Sequence, residues 1–366
     1  MSGSRGLHTL LADVEGGHRL TEAEALDLLS CRGHDVYSIL TAADRVREAK
    51  AGPIVTCVRN QNIHITNICK NLCGFCAFGR RASDPGAYLD DRESIERKAR
   101  LAVSRGVTEI CLLSGVHPGF DAGRYSEVLA WVHGAAPGIH LHAFSPDEVN
   151  HAAVLSGIPA REVLARLKEA GLGSLQGTAA EILVDEVRAV ICPKKLSSAE
   201  WVRIIREAHR LSIPTTATIM YGSCEGPRDR VRHLAILREI QDDTGGFTEL
   251  VPLSYLHWNT ALFREGKAPA GATGRDDLLL IAMSRLFLDN FRNIQVSWGK
   301  LGPSLSQAAL LCGGNDLGGT MFSDDVTMEA GAAGAEFLDQ TEMERMAADI
   351  GRVLRRRFTD YSLAPG

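Results

Sequence analysis

The sequence lacks long hydrophobic runs. It contains no stretch of about 18 consecutive apolar residues, the length that a membrane-spanning helix needs. The first six residues, Met-Ser-Gly-Ser-Arg-Gly, lead into mixed polar sequence without the apolar core of a secretion signal. We therefore expect no membrane partner and no standard export, and we predict a cytoplasmic location.

A strong excess of one charge is also absent. The 366 residues carry a formal net charge of -5 at pH 7. Neither terminus is a basic tail, so nothing in the composition would attract nucleic acid or an anionic membrane surface. Apolar residues make up 45% of the chain, which is enough for a large core. We predict a globular protein without a nucleic-acid partner.

Regular cysteine spacing is missing as well. The chain has nine cysteines, an odd number, which argues against a disulfide framework and favours free thiols plus a metal site. The glycine-rich stretch 313–319 lacks the Lys-Ser/Thr pair of a phosphate-binding loop and could equally consist of simple turns. Phosphate-loop nucleotide chemistry is therefore not expected.

One motif stands out against these absences. Residues 67–78 contain Cys69, Cys73 and Cys76 in the spacing Cys-x3-Cys-x2-Cys. A structural zinc site needs four closed ligands, and no second Cys or His pair follows at a zinc-binding spacing. A 4Fe-4S cluster held by three cysteines leaves one iron open to a small molecule. The triplet therefore predicts such a cluster in preference to zinc.

Strand-like and helix-like segments alternate along most of the chain. This alternation predicts an α/β fold, a (β/α)8 TIM-type barrel, with an N-terminal helical cap (1–52), the barrel (53–320) and a C-terminal extension with a helix (321–366). Predicted cap helices cover 21–31, which starts with a capping box, and 36–50; the Ala/Gly-rich stretch 329–335 is a predicted loop and 341–357 a final helix. The predicted strands are 62–66, 109–113, 140–143, 174–175, 215–220, 248–252, 293–296 and, weakly, 310–312.

Barrel active sites form at the C-terminal ends of the strands. This rule selects site candidates after successive strands: Ser114, Gly115, Thr178, Glu181, Tyr221, Glu249, Tyr255, His257, Asn315 and Asp316. Several of these residues also fit a purely structural role. Burying the Glu249 carboxylate without a partner would cost free energy, so we expect Glu249 either to have a functional role or to belong to a buried ion pair. Glu181 could contact a cofactor or simply favour a helix N-terminus, and His64 could be a core histidine or a ligand.

The cysteine spacing resembles that of radical S-adenosylmethionine (SAM) enzymes. In that superfamily the open iron binds the amino and carboxylate groups of SAM, and reduction cleaves SAM to methionine and a 5′-deoxyadenosyl radical. The resemblance implies that the three cysteines ligate the cluster and that a flavodoxin- or ferredoxin-type protein donates the electron. It also implies a cofactor-binding set in which two aromatic residues shield the cluster and the others approach SAM: Phe75, Phe78, Ser114, Gly115, Thr178, Glu181 and Tyr221.

Several segments resemble, more narrowly, the CofH family of deazaflavin biosynthesis. These segments include 67–78, 142–146, 177–183, 244–249 and 315–320. The last of them has the sequence Asn-Asp-Leu-Gly-Gly-Thr. The resemblance implies that a fragment of tyrosine is joined to 5-amino-6-(ribitylamino)uracil, with CofG as a candidate partner. It implies substrate-holding or proton-moving roles for the residues predicted as catalytic: Glu249, Tyr255, His257, Asn315 and Asp316.

The chain departs from the expected family pattern near several strand ends. The departures are Leu112 to Gly115 after the second strand, Gln176 in place of Pro, His64 in place of Asn, and the stretches 223–225 and 311–313. Three alternatives follow. The protein could be a diverged paralogue that joins other substrates, a radical SAM enzyme of futalosine-type menaquinone synthesis, or a non-catalytic barrel that binds an iron-sulfur cluster or zinc.

Overall fold

The computed structural model describes residues 6–332 and 334–365. Residues 1–5, which entered the export prediction, and residue 333 of the predicted loop 329–335 lie outside the described residues. The strands are β1 (Ile54–Val58), β2 (Asn60–His64), β3 (Glu109–Leu113), β4 (His140–Ala143), β5 (Ser174–Leu175), β6 (Thr215–Tyr221), β7 (Phe247–Ser254), β8 (Asp316–Gly319) and β9 (Val353–Arg357). The helices are α1 (Leu7–Glu15), α2 (Glu22–Ser30), α3 (His34–Ala51), α4 (Arg92–Ser104), α5 (Ala122–Ala135), α6 (Pro146–Ser156), α7 (Ala160–Glu169), α8 (Asp185–Ile191), α9 (Ser198–Arg210), α10 (Pro227–Thr244), α11 (Ala261–Arg264), α12 (Gly274–Phe287), α13 (Trp298–Leu310), α14 (Asp325–Glu329) and α15 (Gln340–Asp349).

Helices α1, α2 and α3 precede the first strand. The predicted cap helices correspond to α2 and α3, whereas α1 was not predicted. The predicted capping box is present: the Thr21 side chain accepts a hydrogen bond from the backbone N–H of Glu24, and the Glu24 carboxylate accepts one from the N–H of Thr21. Helix α3 packs against α12. The division into 1–52, 53–320 and 321–366 stays a prediction.

The centre of the molecule is a parallel sheet of six strands in the order β2-β3-β4-β5-β6-β7. Parallel contacts continue it, since Leu250 pairs with Ile294 and Gln295 pairs with Asp316 of β8. Strand β8 in turn pairs with β1, which runs almost directly into β2. The sheet therefore curls back on itself, and the prediction of an α/β barrel is confirmed.

Two predicted elements near the C-terminus are wrong. Residues 310–312, predicted as the eighth strand, form the end of α13 and its turn, because a short apolar run cannot be distinguished from helix by periodicity alone. The strand at this position is β8, inside the stretch predicted as a glycine loop. The predicted helix 341–357 ends at Asp349, and residues 353–357 form β9, which pairs in parallel with β1.

Side chains alternate between the two faces of the barrel strands. In β3, Ile110 and Leu112 are fully buried in the hydrophobic core, whereas Glu109 and Cys111 face the barrel interior. This alternation follows from the two-residue repeat of a strand.

In described residues no helix combines the length and apolar character that crossing a lipid bilayer requires.

Candidate active site

The cysteine loop follows β2 and is held against the end of β3 by backbone hydrogen bonds. The N–H of Gly115 donates to the carbonyl of Thr66 at 2.8 Å, and the N–H of Cys69 donates to the carbonyl of Arg80 at 2.9 Å. Gly115 has to be glycine here, because a Cβ would lie 2.5 Å from the carbonyl oxygen of Ile68. The loop is thus fixed at the C-terminal mouth of the barrel, as predicted.

A cavity of about 270 Å³, the upper cavity, opens beside this loop. Predicted site residues from several strands meet in its lining: Cys69, Cys73, Cys76, Phe75, Phe78, Ser114, Gly115, Thr178, Glu181 and Tyr255. All nine cysteines of the chain are free. The barrel thus brings the metal set and most of the cofactor set together around one space.

Charged groups that the sequence analysis did not select also line the upper cavity. Lys195 lies 2.5 Å from Glu181 and 5.4 Å from the centre of the Phe75 ring. Burial opposes the charge of this ammonium, but the adjacent Glu181 carboxylate outweighs burial and raises the pKa of Lys195. Burial, with Asp147 nearby, raises the pKa of Glu148 to about 8. Glu148 is therefore largely protonated at neutral pH while Lys195 is charged.

The upper cavity fits an iron-sulfur cluster together with a polar ligand. Within the described ranges no three His, Cys, Asp or Glu side chains converge as ligands of a single metal ion do. A cluster instead has separate iron corners, each taking its own thiolate. Burial raises the pKa of Cys73 and Cys76, so both thiols must release a proton on ligation. Two buried oxygens in the lining, Asn71 Oδ1 and Glu148 Oε1, have no protein partner among the described residues and could bind a ligand.

A second cavity of about 200 Å³, the lower chamber, lies inside the barrel. Four residues line both spaces, so the lower chamber adjoins the upper cavity: Leu113, Gln176, Thr178 and Leu253. The rest of its lining is mostly polar and includes Asn60, Asn62, Glu109, Cys111, His142, Thr216, Thr218, Glu249, Gln295, Arg357 and Thr359. The interior of an α/β barrel is ordinarily a packed core of branched apolar residues. This interior is instead partly open and includes many polar residues among its lining.

The C-terminal segment forms the floor of the lower chamber. The hydroxyl of Thr359 donates to Glu109 at 2.6 Å, and the hydroxyl of Tyr361 donates to Glu249 at 2.6 Å. Burial raises the pKa of Glu249 to about 7, with Arg357 opposing the shift. Glu249 therefore belongs to a buried ion pair, 3.6 Å from Arg357, and it also faces the chamber; its catalytic role stays a prediction.

Four predicted site residues lie outside both cavity linings. Tyr221 is fully buried, and its hydroxyl donates to Asp277 at 2.8 Å. His257 packs against Trp258 and Phe263 beyond the mouth. The other two act within the framework: Asn315 accepts hydrogen bonds from Arg285 and from the N–H of Ile294, and Asp316 forms a buried ion pair with Arg357.

Few of the departures from the family pattern reach the cavities. Residues 113–115 and Gln176 do, and the Gln176 amide nitrogen donates to the carbonyls of Leu112 and His142. The other departures have structural partners or positions elsewhere. The His64 imidazole lies 3.2 Å from Asp325, and the Glu225 carboxylate accepts a hydrogen bond from the N–H of Gly222 and pairs with Arg230. Residues 311–313 follow α13, and in the described part of the chain none of these residues lines either cavity.

Sequence reasoning missed the polar side of the upper cavity, namely Asn71, Asp147, Glu148 and Lys195. Residues 145–148 gave a signal as a helix start, and the capping box there is present. That signal does not reveal burial of Glu148. No local pattern marks Lys195, because its partner Glu181 is distant in sequence and only folding brings the two together.

Comparisons with known proteins agree with this geometry. A family model for the radical SAM superfamily matches residues 63–237, and one for the CofH/MqnC C-terminal region matches residues 244–364. The crystal structure of methylornithine synthase (PylB) superposes with a TM-score of 0.72 at 19% identity, covering 95% of this chain and 97% of that one. This likeness supports the fold alone.

Two curated relatives carry the same name, 5-amino-6-(D-ribitylamino)uracil--L-tyrosine 4-hydroxyphenyl transferase. The protein from Methanosphaerula palustris is 59% identical over 357 residues, and the protein from Methanoculleus marisnigri is 56% identical over 360 residues. Each alignment covers 98% of this chain and 98% of the relative. The chain therefore belongs to the radical SAM superfamily and, within it, to the family of 5-amino-6-(D-ribitylamino)uracil--L-tyrosine 4-hydroxyphenyl transferases.

Proposed function

We propose that this enzyme takes tyrosine, breaks its Cα–Cβ bond and joins the benzyl-type fragment to 5-amino-6-(D-ribitylamino)uracil, a step of deazaflavin biosynthesis. The observation that carries the proposal is the 59% identity to a relative of that name over 98% of both chains. The arrangement of the two cavities supports it, because a reaction between two substrates needs adjoining spaces. The same high identity over nearly the whole chain favours this function over a diverged paralogue.

The enzyme uses a 4Fe-4S cluster and SAM, as its superfamily does. When bound, these cofactors supply an electron and a carbon-centred radical that removes hydrogen from the substrate. Cys69, Cys73 and Cys76 would hold the cluster at the mouth of the barrel. Phe75 and Phe78 would exclude water from it, which protects radical chemistry from side reactions.

The remaining lining of the upper cavity would bind the charged ends of SAM and tyrosine. Ser114 and Gly115 follow β3 and lie beside the cysteine loop, where they would approach the SAM amino group. Thr178 and Glu181 would contact the ribose or amino end of SAM. Lys195 offers a cation for a ligand carboxylate, although Glu181 must then share it.

The proposal extends to the electron donor, a partner protein and the cellular location. We infer that it receives its electron from a flavodoxin- or ferredoxin-type protein, works beside CofG, and acts in the cytoplasm. The nine free thiols support a reducing compartment.

An anaerobic assay tests the proposed function. The protein is reconstituted with iron and sulfide and mixed with SAM, a reductant, tyrosine and 5-amino-6-(D-ribitylamino)uracil, and the products are analysed by mass spectrometry. We expect 5′-deoxyadenosine together with an adduct of the tyrosine fragment and the heterocycle. Omission of tyrosine is the control. Cleavage of SAM without an adduct would contradict the proposed substrates and favour a paralogue that joins other molecules.

A further inference from the structure

The lower chamber is a built space with polar side chains that the protein leaves without partners. Asn62 and Gln295 are each 9% exposed, and within residues 6–332 and 334–365 their amide side chains make no hydrogen bond to the protein. The Gln176 amide nitrogen is bonded to two carbonyls, but its oxygen has no partner in the same ranges. These amides border the open space of the chamber, so a molecule that fills this space can supply the hydrogen bonds that the protein does not. These groups therefore point to a bound polar molecule.

Glycines on β8 make room for this arrangement. A Cβ at Gly318 would lie 1.9 Å from Gln295 Nε2, so only glycine lets the amide reach its position. Gly318 also has a φ of +68°, a conformation that other residues adopt at a cost. The missing side chain and the positive φ of Gly318 both allow the Gln295 amide to lie in the chamber.

The charged groups of the lower chamber already have partners within the protein. Its cation, Arg357, binds Asp316 through two hydrogen bonds of 2.6 and 3.1 Å. The carboxylates of Glu109 and Glu249 accept hydroxyl hydrogen bonds from the floor. Burial lowers the pKa of His142 to about 4, so its imidazole is neutral. Among the described lining residues the carboxylates of Glu109 and Glu249 outnumber the one arginine, so this chamber disfavours the carboxylate of a zwitterionic amino acid.

The upper cavity has a different character. It combines charged groups, including Lys195 and Asp147, with an apolar wall that contains Phe75 and Met220. A ligand with an amino group, a carboxylate and an aromatic ring suits that wall and those charges. It would also lie beside the cysteine triplet, where the reaction begins.

We propose that the lower chamber binds the uncharged heterocyclic substrate, with the amides of Asn62, Gln176 and Gln295 reading the pyrimidine edge and the hydroxylated side chain, while the amino acid binds above it. An amide offers a donor and an acceptor side by side, which complements the alternating carbonyl and N–H groups of a uracil ring. The side chain of the amino acid in the upper cavity would then face the heterocycle where the two spaces adjoin, beside Leu113 and Leu253. This inference rests on the proposed function and assigns its second substrate to a place.

Equilibrium binding tests the assignment without turnover. The reconstituted holoenzyme, with SAM but no reductant, is titrated by calorimetry with 5-amino-6-(D-ribitylamino)uracil and, separately, with tyrosine. The test variants are Gln295→Met and Asn62→Leu, which keep side-chain size and remove the amide. Gln340→Met, at the start of α15 where the Gln340 amide donates a hydrogen bond to Glu344, is the matched control. Retained SAM binding and circular dichroism identify correctly folded variants.

We expect each test variant to weaken binding of the heterocycle roughly tenfold, with the affinity for tyrosine changed less than twofold and the control unchanged. A loss of tyrosine affinity with normal heterocycle binding would overturn the assignment and put the amino acid in the chamber. Unchanged affinities for both ligands would also overturn it. If the unsubstituted holoenzyme does not bind the heterocycle at all, the proposed function itself fails, and that result is distinguishable from failure of the subsite.

Discussion

Replacement of Arg357 by methionine should strongly destabilise the protein. Arg357 is 2% exposed and donates two hydrogen bonds to Asp316, which is fully buried. Arg357→Met leaves the Asp316 carboxylate inside the barrel without a counter-ion and removes the nearest cation from Glu249, 3.6 Å away. Breaking a buried pair from one side costs about 3–5 kcal/mol, a large part of the roughly 5–15 kcal/mol that stabilises a typical domain. We therefore expect a marked fall in the urea midpoint, followed by circular dichroism at pH 7.

Two comparison variants make this prediction specific to the buried pair. Arg345→Met removes an arginine that pairs with Glu342 and Asp349 on the exposed side of α15, and it should leave the midpoint unchanged because exposed pairs contribute little. Adding Asp316→Asn to Arg357→Met removes the stranded charge and should recover most of the loss. A cost below about 1 kcal/mol for Arg357→Met, or no recovery in the double variant, would refute the reasoning.

Three further outcomes can be checked. Cys73→Ser should abolish the iron-sulfur absorbance and SAM cleavage, whereas Cys312→Ser, at the end of α13, should keep both; equal effects would contradict the assigned ligands. The folded pKa of Glu148, about 8, exceeds its unfolded value, so the apoprotein should lose stability from about pH 4.5 to 8. Glu148→Gln should lessen this loss by on the order of 4 kcal/mol between pH 5 and 9, as obtained from denaturant unfolding at the two pH values. The same pH dependence of stability in the variant and the unsubstituted protein would contradict the raised pKa of Glu148. Gly115→Ala, whose methyl group would meet the Ile68 carbonyl, should displace the cysteine loop and reduce iron content, with stability lowered by about 1–3 kcal/mol; normal iron content would contradict that contact.

Local spacing in the sequence was sufficient to predict the cluster ligands and to locate much of the framework. The triplet of Cys69, Cys73 and Cys76 places three thiols in one loop whatever the rest of the chain does. The start signals at Thr21 and Ser145 also depend on neighbours three residues away, and both capping boxes are present. The rule that barrel sites form after the strands selected ten residues, and five of them line the upper cavity: Ser114, Gly115, Thr178, Glu181 and Tyr255.

Long-range pairing decided the rest. Strand β9 carries three consecutive arginines and resembles a helix end locally, yet it is a strand because β1 offers it a free edge some 300 residues earlier in the chain. Asn315 and Asp316 looked like rim residues, but their partners Arg285 and Arg357 make them part of the framework.

The sequence by itself thus determined the features that depend on short spacing: the predicted cluster ligands, the alternation of strands and helices, and the family resemblance. Only the tertiary structure decided which carboxylates are buried, which are neutralised, and that a polar chamber adjoins the upper cavity. The physical reason is that the pKa values of Glu148 and Glu249 depend on burial and on charges brought close by folding. Those distances are set by closure of the barrel, which no local window of the chain contains.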